Sequence, residues 1–182
     1  MGFALDNGGR LWINVGGFTF PNTRYIEKHD VSDWTVTTGS ISVSNDYVTL
    51  SADGGILEAT LNKNINSSFA FGFIIRMSGN NSTENNITIS LGGTTLISRS
   101  ESGTGKGTEI MLSGAIIYLK SLKILYKIYN DAWVYSGGDT YDIDNQVTSK
   151  GTSVTLSGQL EVTGSGTSLG TKVVKLSPIV YL

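Results

Sequence analysis

The chain has 182 residues, a formal net charge of −2, 23 glycines, 15% charged residues and no cysteine. That length fits one domain with a sizeable core and a short appendage. The charge balance excludes the basic footprint of a nucleic-acid or anionic-membrane surface, and the missing cysteines exclude disulfides, thiolate zinc sites and cysteine nucleophiles.

Residues 1–30 differ in character from the remainder of the chain. Gly8-Gly9 and Gly16-Gly17 separate two short apolar pieces, Leu11–Val15 and Phe18–Phe20, which are too broken for a helix. This predicts an extended N-terminal arm. Its apolar side chains Trp12, Phe18 and Phe20 need a surface to bury against, either this domain or a neighbouring subunit. The first residues lack the basic start and apolar run of a signal peptide, and nothing approaches the roughly 20 apolar residues of a membrane helix. Folding in a cytoplasm is the expectation.

Residues 31–182 form the predicted domain. Trp34–Thr38 opens it, and Ile41–Val43 and Tyr47–Ser51 flank an Asn45-Asp46 turn. Ile56–Leu61 sets Leu57, Ala59 and Leu61 on one face. Ser68–Met77, SFAFGFIIRM, is the predicted central strand, since Phe69, Phe71, Phe73, Ile75 and Met77 fall on alternate positions. Burying such side chains stabilises by roughly 1.5–3 kcal/mol each. Residues 78–85 suggest a polar loop. Asn86–Leu91 alternates, Gly92-Gly93 signals a two-residue hairpin, and Thr94–Ser98 returns. Residues 101–107 suggest a second loop, and Glu109–Leu112 a short strand.

Ala115–Tyr135 carries two signals. Lys120, Lys123 and Lys127 have the spacing of a wet helical stripe, but Leu122, Ile124, Tyr126 and Ile128 also alternate. The isoleucine and tyrosine content favours strands. Gly137–Gly151 suggests a loop, Val154–Leu156 and Gln159–Val162 two strands, and Lys172–Leu182 a last strand whose Pro178 suits an edge or a bulge. Short strands punctuated by turn signals describe an all-β fold, a two-sheet antiparallel β-sandwich of the jelly-roll type carrying an N-terminal arm.

Little catalytic chemistry is visible. The single histidine, His29, has no aligned nucleophile and is expected to be a surface residue where arm meets domain. No catalytic residue is assigned, and the chain is not expected to be an enzyme. Asp139, Asp142 and Asp144 supply hard oxygen ligands in a predicted loop, which makes Ca²⁺ the one candidate metal; no other cofactor is expected. Trp133 and Tyr141 are the candidate platform for a sugar ring, Tyr141 because it lies in a polar, glycine-rich stretch.

Several segments together resemble a known family. They are Asp33-Trp34, SNDYVTLSA (residues 44–52), FAFGFIIRM (69–77), LKILYKIYNDAWVYSGG (122–138) and TKVVKLSPIVYL (171–182). In this order they resemble the concanavalin/laminin-G-like jelly rolls, and especially those carried by bacteriophage virion proteins. The resemblance covers residues 31–182 and carries no calcium or sugar ligand over by position. It implies a virion structural protein made in the host cytoplasm, of the head-decoration or fibre kind. Such a protein would be attached through Trp12, Phe18 and Phe20 to capsid proteins or to sister subunits of a homo-oligomer. The alternative it implies is a carbohydrate-binding, receptor-recognising module on a head or tail fibre.

Overall fold

The computed structural model describes residues 2–5, 11–15, 18–20, 25–79, 84–102, 108–135, 140–166 and 170–182; residues 2–25, 79, 84, 101–102, 108 and 133–146 within these are described by their backbone. The described residues are almost wholly strand. The arm contributes β1 (Gly2–Leu5), β2 (Leu11–Val15) and β3 (Phe18–Phe20), which form a three-stranded antiparallel sheet of their own. The next strand, β4 (Tyr25–Glu27), joins the large sheet of the sandwich instead.

Two antiparallel sheets make the sandwich. The strands β5 (Trp34–Thr38), β6 (Ser40–Ser44), β7 (Tyr47–Asp53) and β8 (Leu57–Ile65) come first in sequence. Then come β9 (Phe69–Gly79), β10 (Glu84–Leu91), β11 (Thr94–Ser102), β12 (Thr108–Leu119) and β13 (Ile124–Tyr135). The series closes with β14 (Thr140–Gly151), β15 (Gly158–Gly166), β16 (Thr171–Leu176) and β17 (Ile179–Tyr181). The smaller sheet runs β11-β10-β15-β8-β5, and the larger runs β14-β13-β12-β9-β16-β7-β6, with β17 beside β9 and β4 outside β17.

The alternation of the Phe-rich segment is realised in β9. Phe69, Phe71, Phe73, Ile75 and Met77 are each no more than 3% exposed and face the smaller sheet. Leu57, Ala59 and Leu61 of β8 and Ile87, Ile89 and Leu91 of β10 meet them from the other side. Both predicted tight turns form with positive φ at both central residues, Asn45 (51°) with Asp46 (66°) and Gly92 (54°) with Gly93 (78°). That geometry matches the right-handed twist of the strands it joins.

The ambiguous segment resolves as strands. β12 and β13 form a long hairpin closed by a short 3-10 turn, Lys120–Leu122, with Lys123 in the left-handed region at φ 53°. The strand expected at Glu109–Leu112 is only the start of twelve-residue β12. Two expectations are corrected. Residues 140–151 belong to edge strand β14 rather than a loop, and their polar composition suits a strand paired on one side only. Val154–Leu156 is irregular rather than a strand. The Val154 N–H donates to the Lys123 carbonyl (2.9 Å), and the Tyr118 hydroxyl donates to the Val154 carbonyl and accepts from the Leu156 N–H, each at 3.2 Å.

One interruption shapes the centre of the large sheet. β16 and β17 both pair with β9, and Ser177-Pro178 separates them. At this gap the Ser177 N–H donates to the Gly72 carbonyl (2.9 Å), and the Ser177 Oγ accepts from the Gly72 N–H (2.7 Å). Pro178 therefore stands at a break in the ladder, where its missing N–H leaves nothing unpaired.

Gly114 shows how tightly β12 and β13 approach. A Cβ there would run into the Ile128 carbonyl and the Tyr129 side chain. The Tyr129 ring instead meets the Phe73 ring at 6.3 Å. Gly114→Ala is expected to cost about 1–3 kcal/mol in urea unfolding. Gly72→Ala, whose Cβ would find nothing nearer than 3.5 Å, is expected to stay within about 0.5 kcal/mol of wild type.

Candidate functional site

The candidate glycan residues lie where β13 and β14 change register. From Leu125 to Asp131 the two strands pair regularly with Gly151 to Asn145. The register then shifts between Asp131 and Trp133, and pairing resumes with Trp133 opposite Tyr141 and Val134 opposite Thr140. Trp133 is also opposite Ile110 across the β12–β13 ladder. The two aromatics singled out from sequence, eight positions apart in the chain, are thus directly opposed cross-strand neighbours. A bulge of this kind bends its strand and re-aims the positions beside it.

Sequence reasoning missed the ion pair that holds this bulge. Arg99 of β11 reaches across from the edge of the smaller sheet, and its Nη2 lies 3.3 Å from Asp131 Oδ2. Both side chains are more than two-thirds buried. The second carboxylate oxygen, Asp131 Oδ1, is buried without a hydrogen-bond partner. In sequence, Asn130-Asp131 shows nothing beyond a common polar pair, and only the pairing of the two sheets' edges brings Arg99 near.

The calcium candidates separate in kind. Asp142 and Asp144 fall in β14, within the stretch 142–144 that the register shift leaves without ladder partners. Asp139 lies outside the described residues. Among the described residues no group of three His, Cys, Asp or Glu side chains could hold a metal.

The arm candidates sit within the small sheet. Trp12 is opposite Ala4, Phe18 opposite Val15 and Phe20 opposite Ile13. None of them shares a ladder with either sandwich sheet.

At the arm–domain junction the structure corrects the reading of His29 as a surface residue. His29 is 6% exposed, and its Nε2 lies 2.8 Å from the Ser177 carbonyl. A carbonyl only accepts, so Nε2 carries the hydrogen. The ring also lies against Trp34, with centroids 5.6 Å apart. The histidine is buried because β4 pairs with β17 and draws residue 29 under the Ser177 gap. Around it, Lys63 bridges Glu27 and Asp33, and the Tyr181 hydroxyl donates to Glu27 Oε2 at 2.8 Å. The hydrogen bond with Glu27 leads the interactions that push the Lys63 pKa up.

No protein-family model and no curated protein sequence matches the chain. Solved structures do. The legume lectin-like domain from Entamoeba histolytica superposes with a TM-score of 0.55 at 11% identity, covering 84% of this chain and 91% of that one. Lectin II from Ulex europaeus matches with a TM-score of 0.46 at 9% identity, over 85% and 95% of the two chains. A structure described with endo-acting O-glycanases of human gut microbiota matches with a TM-score of 0.48 at 8% identity, over 88% and 100%. The chain has the lectin-like, concanavalin-type β-sandwich fold.

Burial outweighs the hydrogen bond and the nearby carboxylates and lowers the His29 pKa below the ordinary 6.5. The unfolded chain therefore takes up this proton at a higher pH than the folded protein does. Stability is retained above 6.5 and falls as pH drops from there through the folded value. Denaturant unfolding at neutral and mildly acidic pH is expected to show a steeper acid loss in wild type than in His29→Gln.

Proposed function

We propose that the protein is a carbohydrate-binding module that recognises glycans without cleaving them. The observation that carries this reading is the lectin-like sandwich, matched over most of the chain by the Entamoeba histolytica domain. The Trp133–Tyr141 pair supports it locally. Two aromatics opposed across a bulged edge hairpin supply the residue types whose flat apolar area suits the C–H face of a sugar ring. Asp142 and Asp144 on the same strand are the calcium candidates, so the assay includes arms with Ca²⁺ and with chelator.

The test is a glycan array on the full chain, followed by titration of the best ligand. Trp133→Ala and Tyr141→Ala are each expected to weaken binding about tenfold or more, which is about 1.4 kcal/mol. Release of reducing ends from the bound glycan is expected to stay at background. Loss of binding only with chelator would assign calcium to the site, and absence of binding to any glycan would refute the proposal.

A second reading has its own observation. The small sheet of residues 2–20 shares no ladder with the sandwich, as an assembly element would. With the sequence resemblance, this supports a virion structural role in which Trp12, Phe18 and Phe20 contact capsid proteins or sister subunits. Full-length protein is then expected to form oligomers in light scattering, and the triple variant Trp12→Ser, Phe18→Ser, Phe20→Ser to remain monomeric. Equal monomeric masses for both would refute self-assembly through the arm.

A further inference from the structure

Lys172 lies where a lysine is not expected. It shares the inward face of β16 with Val174 and Leu176 and is 0% exposed. In the large sheet it pairs with Ala52 of β7 and Met77 of β9. Its Cδ lies 3.0 Å from where a Cβ on Gly164 would stand, beside Leu57 Cβ and the Asn86 carbonyl. The side chain therefore crosses the sandwich and fills space that β15 leaves by having glycine there. Its Nζ is buried and has no hydrogen-bond partner.

Among the described side chains, no counter-charge faces this amine from the strands packed around it. β7 presents Ala52, β9 Met77, β8 Leu57, β15 Gly164, and β10 Asn85 and Ile87. The charged side chains described on those strands are turned elsewhere, Lys63 of β8 to Glu27 and Asp33. Asp53 accepts from the Thr171 hydroxyl, Glu58 is exposed, Arg76 pairs with Glu109, and Glu161 accepts from Ser90. On β16 itself Lys175 is exposed.

A buried ammonium with no hydrogen-bond partner and no counter-charge is so unfavourable that the group gives up its proton instead. We infer that Lys172 is carried as a neutral amine inside the closed sandwich, and that proton uptake there favours opening the end at which β7 and β9 finish and β16 starts. Besides the ladders, hydrogen bonds between described residues fasten this end. The Gly54 N–H donates to the Gly170 carbonyl, the Thr171 N–H to Ser78 Oγ, and Asn85 Nδ2 to the Ser78 carbonyl. Burial lowers the Lys172 pKa from 10.5. Across the interval between the folded value and 10.5 the unfolded chain holds the proton and the folded chain does not. Stability therefore rises with pH through that interval and carries the full penalty below it.

The test uses the full chain, Lys172→Met, and Lys175→Met as a control on the same strand. Thermal melts are followed from about pH 6 to about pH 10, the range in which a depressed lysine titrates. Wild type and Lys175→Met are expected to gain several degrees towards alkaline pH. Lys172→Met is expected to melt higher at neutral pH and to show a clearly smaller rise, Lys127 being the other lysine whose pKa burial lowers. A Lys172→Met profile parallel to wild type, or lower throughout, would overturn the inference. Should the variant not fold, the ¹³Cε resonance of Lys172 in wild type decides. Titration well below the other lysines supports the neutral amine, and titration together with them refutes it.

Discussion

The sandwich depends on complete pairing of one buried strand. β9 is enclosed by a sheet neighbour on each side and by the smaller sheet on its apolar face, so water cannot reach its backbone. A buried N–H or C=O left without a partner costs about 1–3 kcal/mol. β12 supplies one side without a break, from Phe69 to Gly79. The other side is made from two strands, and the gap between them is closed at Gly72 by the N–H and the hydroxyl of Ser177. The same Ser177 offers its carbonyl to His29. A single serine thus repairs the central ladder and anchors the segment leading into the arm.

Much of this fold is legible in the sequence because a half-buried strand writes its own pattern. The alternation from Phe69 to Met77, the Gly92-Gly93 hairpin and the apolar row Ile87, Ile89, Leu91 each arise from period-two burial and turn sterics. What failed to show was decided by neighbours distant in the chain. β14 reads as loop because an edge strand with one partner can be polar along its length. Val154–Leu156 reads as strand, yet Lys123 and Tyr118 take its hydrogen bonds. His29 reads as surface because nothing local shows that residues 25–27 pair with residues 179–181.

The candidate site divides in the same way. Trp133 and Tyr141 were visible as aromatics near a polar stretch, but their opposition depends on a register shift that no local pattern encodes. The Arg99–Asp131 pair and the buried Lys172 were invisible for a related reason. A charged residue at a core-facing position looks, in sequence, like any exposed one in an alternating strand. Only the second sheet shows that the side chain has nowhere else to go. These two polar features of the interior differ, one paired across the sheets and one alone. Both lie on inward-facing rows close to where strands end or shift, so polar groups collect where the core thins.

The pairing of β4 with β17, and of β9 with β16 and β17, also sets an order of events in synthesis. Gly72 waits for Ser177, a partner 105 residues further along the chain. Until residues 172–181 have left the ribosome, the Phe-rich β9 has a hydrogen-bonding neighbour on one side only. An unpaired edge of that kind invites strands from other chains. The nascent chain therefore carries an open strand edge from the emergence of β9 until β16 and β17 follow it.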